Sequence, residues 1–185
     1  MNSTIFAISL AALSAAQGQG LTASGTLAGT AGTGGLYNYT LTLTDTSSTT
    51  LGSLWYAWVP GSFFLPHAPS SVTTPSGWSD SIVSFNGSSI QFTANSPANE
   101  LTLGQSVTFG FSSQDSPATL AGDFNGSPTG TSVAYSGNTL SGVSDTFVVA
   151  SVPEPSTWIL IGLGGIGCMT LRRKVLMAKP VRSCH

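Results

Sequence analysis

The sequence predicts an all-β protein: a single antiparallel β-sandwich of Ig-like or Greek-key order, set between an N-terminal signal peptide and a C-terminal transmembrane helix. Three observations carry this. Apolar and polar residues alternate with period two in a series of short runs, turn-forming residues separate those runs, and no amphipathic helical pattern lies between them. Every Lys and Arg falls at position 172 or later, and both cysteines, Cys168 and Cys184, lie in the same tail. The stretch ahead of the tail must therefore be held by burial and sheet hydrogen bonding, without disulfides.

Residues 1–16 form the first segment. An apolar run at 5–13 is followed by small residues at Ser14 and Ala16, the arrangement that flanks a signal-peptide cleavage site, so cleavage is expected after Ala16. The run is too short to span a bilayer by itself. Residues 17–151 then have the size of one domain, and about a third of them are Ser or Thr. Residues 21–27 open this domain. Tyr37, Tyr39, Leu41 and Leu43 alternate with Asn38, Thr40 and Thr42, which places an apolar set on one face of a strand and a polar set on the other. The same alternation predicts strands through Ile90, Phe92 and Ala94, through Val107, Phe109 and Phe111, through Val133 and Tyr135, and through Phe147 and Val149. Residues 54–59 and 78–85 are denser in apolar residues, as strands covered on both sides would be. Turn signals fall between the runs, among them Pro60-Gly61, Asn86-Gly87, Asn125-Gly126 and Gly137-Asn138. Asn86-Gly87 is the form a tight hairpin with positive φ requires.

The charges of this domain are six carboxylates, Asp45, Asp80, Glu100, Asp115, Asp123 and Asp145, with no Lys or Arg. Such a balance excludes nucleic acid as a partner, because binding its phosphates needs basic residues to displace counterions. A Ser-His-Asp hydrolase needs an imidazole, and the domain has one histidine, His67, in the loop-like stretch FFLPHAPSS without a nucleophile elbow. One histidine and no cysteine supply no zinc site, nothing singles out a glycosidase carboxylate pair, and Asp123-Phe124-Asn125-Gly126 lacks the later ligands of a calcium loop. No catalytic residue, cofactor or metal is expected, and isolated Asp residues such as Asp45 and Asp115 are expected to form turns. Aromatics offer a binding hint. Trp55, Trp58 and Trp78 are the candidates for a carbohydrate platform, yet Trp55 and Trp58, three apart on a strand, should face opposite sides, with these rings mainly buried.

The tail opens with Val152-Pro153-Glu154-Pro155-Ser156-Thr157-Trp158. The prolines bias their neighbours toward extended backbone, so a helix starts only after them. Between Glu154 and Arg172 lie 17 uncharged residues, about 26 Å as a helix, a short span for a hydrocarbon core of about 30 Å. Arg172, Arg173 and Lys174 then act as a stop-transfer cluster and keep residues 175–185 in the cytoplasm, leaving the domain outside.

This order of parts resembles the PEP-CTERM sorting signal of Gram-negative bacteria, over residues 152–174. The resemblance implies that Pro153, Glu154 and Pro155 are the recognition motif of an exosortase, a membrane protease that processes the tail in bacteria making exopolysaccharide. It also implies an exported protein, held first in the inner membrane by its C-terminal helix and then released to the cell surface or medium. The stretches YNYTLTLTDTSSTTLG and LTLGQSVTFGF resemble Ig-like or fibronectin-like extracellular domains of bacteria, which implies a fold and no function. The expected role is a non-enzymatic structural or adhesive one associated with exopolysaccharide. The alternative is a carbohydrate-binding module with an exposed aromatic platform.

Overall fold

The computed structural model describes residues 20–152. The expected signal peptide at 1–16, the expected sorting and stop-transfer residues Pro153, Glu154, Pro155, Arg172, Arg173 and Lys174, the expected spanning helix and the residues at 175–185 lie outside the described residues. Among the described residues no helix is long and apolar enough to cross a membrane.

In chain order the strands are β1 (Ala23–Ala31), β2 (Tyr37–Asp45), β3 (Ser53–Tyr56), β4 (Trp58–Val59), β5 (Ser62–Phe63), β6 (Ser71–Thr73) and β7 (Trp78–Ser84). They continue with β8 (Ser88–Ala94), β9 (Ser106–Ser113), β10 (Asp123–Phe124), β11 (Ser127–Pro128), β12 (Thr131–Tyr135), β13 (Ser144–Val148) and β14 (Ala150–Val152). A 3-10 turn at Pro97–Asn99 and one α-helical turn, α1 (Pro117–Leu120), interrupt them, the latter capped by the Ser116 hydroxyl, which accepts from the Thr119 N–H.

Two five-stranded sheets pack face to face, one ordered β14-β1-β2-β9-β6 and the other β13-β12-β3-β8-β7. The expected all-β sandwich is what forms. The chain passes between sheets from β2 to β3 and again from β8 to β9, so β2 pairs with β9 in one sheet while β3 pairs with β8 in the other. These are crossing connections of Greek-key type. Pairings within both sheets are antiparallel except β14 on β1, which is parallel.

The alternation read from the sequence sets the core. Tyr39, Leu41 and Leu43 of β2 and Val107, Phe109 and Phe111 of β9 face inward, with Leu54 and Tyr56 of β3 and Ile90, Phe92 and Ala94 of β8 opposite. Phe109 stacks on Phe92 with centroids 4.0 Å apart and meets Trp78 edge-on at 5.3 Å. Phe111 stacks on Tyr39 at 4.8 Å and reaches Tyr56 across the sandwich at 5.8 Å. On β1 the inward position opposite Tyr39 is Gly29, where a Cβ would lie 2.5 Å from the tyrosine ring. Glycine is what lets that ring lie flat under the strand.

Two strand expectations are corrected. Residues 78–85 do not form a strand covered on both sides: β7 is an edge strand, with Ser79 through Ile82 exposed, because β8 is its single neighbour in the sheet. On β12 it is Ala134 that joins the central core cluster, while Val133, although also buried, lies with Tyr135 on the opposite face. Val133 is in register with Trp55, whose outward parity is fixed by Leu54 and Tyr56 facing the core. The predicted positive φ at Asn86 and Gly87 is observed, at 51° and 129°.

The two buried tyrosines make opposite mutational predictions. The Tyr39 hydroxyl donates to the Asp115 carbonyl at 2.6 Å, whereas the buried Tyr56 hydroxyl has no partner among the described residues. Tyr39→Phe should therefore cost about 1–3 kcal/mol by orphaning a buried carbonyl, and Tyr56→Phe should be neutral or stabilising by about 1 kcal/mol, both measured by urea unfolding.

Burial first, then the neighbouring Asp115 and Tyr37, pushes the Tyr39 hydroxyl above its usual 10.0; burial first, then Tyr39 and Asp115, does the same for Tyr56. The folded state thus holds protons that the unfolded chain releases near pH 10. Stability is intact below about pH 10 and falls as pH rises beyond it, an alkaline decline that denaturation at graded pH should detect and Tyr56→Phe should lessen.

Candidate functional site

The outer faces of the two sheets differ in chemistry. On the sheet containing β1, β2 and β9 the outward residues form cross-strand rows of small hydroxyl side chains: Thr26, Thr42 and Thr108 lie in one row, and Ser24, Thr44 and Ser106 in the next. Neighbours in these rows hydrogen-bond to one another, Thr42 to Thr108 at 3.3 Å and Thr44 to Ser106 at 2.7 Å. None of the outward positions on these three strands carries a charge. The alternation that puts leucine and phenylalanine inside puts these hydroxyls outside, with neighbours in a row about 4.8 Å apart.

The second sheet carries the aromatic feature. Trp55 and Trp58 lie face to face, with ring centroids 3.6 Å apart and planes 5° from parallel, and both are half-buried. The expectation that they face opposite sides is overturned, and the cause is local. Ala57 has φ of 58°, which ends β3 at Tyr56, reverses the alternation and brings Trp58 back over Trp55. A non-glycine residue in that region costs of order 1–2 kcal/mol. The conformation is held by two hydrogen bonds, from the Ala57 N–H to the Ser132 hydroxyl at 3.1 Å and from the Phe64 N–H to the Ala57 carbonyl at 2.9 Å.

Trp55 is locked further: its indole N–H donates to the Oγ of the fully buried Ser89 at 2.8 Å. On the strands flanking Trp55, Val133 and Gln91 occupy the register positions beside it. Val133 is only 3% exposed although it stands apart from the central core cluster, so it belongs to a small apolar patch on this outer face. Farther across β8 and β7, Thr93 and Ser79 are joined hydroxyl to hydroxyl at 2.9 Å.

Trp78 does not join them. It is 7% exposed and packed edge-on against Phe109, so it offers no ring face to solvent. The sequence reading missed Phe85, which is 71% exposed at the tip of the β7–β8 turn and meets Phe63 edge-on. Its place beside Asn86-Gly87 was the available signal, since a residue entering such a turn leaves the sheet surface.

His67 and Asp115 are brought together, which their separation in sequence concealed. The His67 ring Nδ1 lies 2.6 Å from Asp115 Oδ1, and the His67 backbone N–H donates to Asp115 Oδ2 at 3.2 Å. The Ser113 hydroxyl adds a bond to the same carboxylate. The aspartate is 3% exposed and the imidazole 56%, so a buried acceptor pins an exposed loop onto the end of β9. Asp115 is thus a tie between segments as well as a turn residue. Asp45 takes the expected role, accepting from the N–H and hydroxyl of Ser47 two residues on. Asp123-Phe124-Asn125-Gly126 forms the β10–β11 hairpin, with Asn125 and Gly126 at φ of 52° and 79°. Among the described residues no group of three or more His, Cys, Asp or Glu could hold a metal.

Residues 151–174 match the family model of the PEP-CTERM protein-sorting motif, which marks an exported protein processed by an exosortase. The first two matched residues, Ser151 and Val152, belong to β14 and pair with Leu27 and Ala28 of β1, so the motif begins inside the folded sheet. No curated protein sequence matches the chain. Among solved structures, a GH20 exo-β-N-acetylglucosaminidase from Vibrio harveyi, as an inactive mutant, is similar at 15% identity and a TM-score of 0.45, over 71% of this chain and 18% of the enzyme. The same enzyme in complex with N-acetylglucosamine gives 13% identity and a TM-score of 0.41, again with 71% of this chain and 18% of the enzyme covered. The chitin-binding domain of Chi18aC from Streptomyces coelicolor gives 19% identity and a TM-score of 0.35, over 72% of this chain and 96% of that domain. This chain spans under a fifth of the enzyme's length.

The stacked indoles should produce an exciton couplet in the near-to-far ultraviolet circular dichroism of the folded protein. Trp58→Ala should abolish it while Trp78→Phe leaves it in place, and a couplet that survives Trp58→Ala would show that the two rings do not stack in solution.

Proposed function

We propose that this chain is a non-enzymatic surface or matrix protein with a structural or adhesive role in exopolysaccharide. In this reading it is held in the inner membrane by its C-terminal helix until an exosortase releases it. The observation that carries the role is the charge-free face of Ser and Thr rows on β1, β2 and β9, a hydrated surface suited to lying among polysaccharide chains. Two buried or tied carboxylates, Asp45 and Asp115, are engaged in turns and loop fastening, and His67 is occupied by Asp115. The His–carboxylate pair formed among the described residues is thus committed to fastening a loop, which supports a non-hydrolytic role.

A second reading, a carbohydrate-binding module, is favoured by one specific feature, the Trp55–Trp58 stack on the opposite face. Stacking uses one face of each indole, and the remaining exposure of each ring supplies the apolar surface that the C–H face of a sugar covers. Trp78 has no part in this platform.

Processing is testable by intact-mass analysis in an exosortase-bearing host. Mature protein should begin near Gln17 and lack Arg172 and Arg173, while replacing Pro153, Glu154 and Pro155 together by Ala should leave the full tail membrane-bound. Wild-type mature protein that retains both arginines would reduce the tail to a simple anchor.

A further inference from the structure

We infer that the Trp55–Trp58 stack takes an uncharged polysaccharide and rejects acidic ones, with Trp58 as the stacking surface and Trp55 as the residue that positions it. This deepens the carbohydrate-binding reading and rests on it. The aromatic step is built before any ligand arrives. Trp55 is fixed at its indole nitrogen by Ser89 and in its backbone by the β3 pairings on both sides, and Trp58 is fixed onto it by the turn at Ala57. A ring held in place loses little entropy when a sugar stacks on it, which is the main cost of aromatic recognition by a mobile side chain.

The surroundings decide the class of sugar. Beside the stack the same outer face presents Gln91, Thr93 and Ser79, neutral groups that can both donate and accept, as a run of sugar hydroxyls requires. The described residues hold six carboxylates and no Lys or Arg, and the single imidazole is fastened to Asp115. A uronate or sulfate group would find no cation to replace its hydration, and would approach a domain of its own sign. A neutral chain meets neither penalty. Its binding should also be insensitive to ionic strength, because no ion pair forms.

The test is affinity gel electrophoresis of the full-length chain in detergent, with hydroxyethylcellulose, dextran, galactomannan or β-1,3-glucan in the gel as neutral probes and alginate as the acidic probe. At least one neutral polymer should retard the wild type at low and high salt alike, and alginate should not. Trp58→Ala should weaken that retardation about tenfold, and Trp58→Tyr should keep most of it, with melting curves confirming that both variants fold. Retardation by alginate alone, lost in Trp58→Ala, would overturn the neutral class while leaving a carbohydrate site at Trp58. Retardation by no polymer, or retardation unchanged in Trp58→Ala, would overturn the site itself.

Discussion

The two sheets are joined through the aromatic side chains of β9. Phe109 touches Phe92 and Trp78 of the opposite sheet, and Phe111 lies between Tyr39 on its own sheet and Tyr56 across the core. A domain without disulfides, and with no Lys or Arg to form ion pairs, has to obtain its cohesion from such burial, and each ring of this size removes a large apolar area from water. The rest of the architecture accommodates these rings. Gly29 leaves room for Tyr39, and the Asp115 carbonyl accepts the Tyr39 hydroxyl at the edge of the core. The same Asp115 then fastens the His67 loop, so packing of β9 and ordering of a surface loop are one network.

That arrangement leaves two outer faces free to differ. Period-two alternation gives the face of β1, β2 and β9 only uncharged residues, mostly Ser and Thr with Ala28 and Gly110 among them, since every large apolar residue on these strands is turned inward. The opposite sheet departs from strict alternation at one residue. Ala57 in the left-handed region turns two tryptophans that would have straddled the sheet into a stacked pair on one side of it. The strained residue shapes a half-buried aromatic pair, and its local cost is offset by the hydrogen bonds it donates to Ser132 and accepts from Phe64.

The C-terminal end of the domain has its own constraint. β14 is three residues long, exposed, and held by parallel pairing to β1, and the sorting motif overlaps it by two residues. Val149, just before it, is 3% exposed and donates its N–H to the Gly130 carbonyl. The sorting motif therefore begins within the folded sandwich, two residues past a buried valine.

The sequence by itself determined the fold class, the inward set on β2, β8 and β9, the positive-φ turn at Asn86-Gly87 and the sorting motif, because each is written in residues close together along the chain: a period, a dipeptide, a contiguous tail. Tertiary structure alone decided the rest. Whether β7 is central or edge depends on which strands arrive beside it, and whether Val133 or Ala134 enters the core depends on the parity of β3 next door. The His67–Asp115 tie spans 48 positions, and the fate of Trp55 and Trp58 turned on one backbone dihedral fixed by Ser132 and Phe64. Local patterns specify which residues prefer burial; which neighbour covers them is a matter of long-range pairing, and no window of sequence contains both partners.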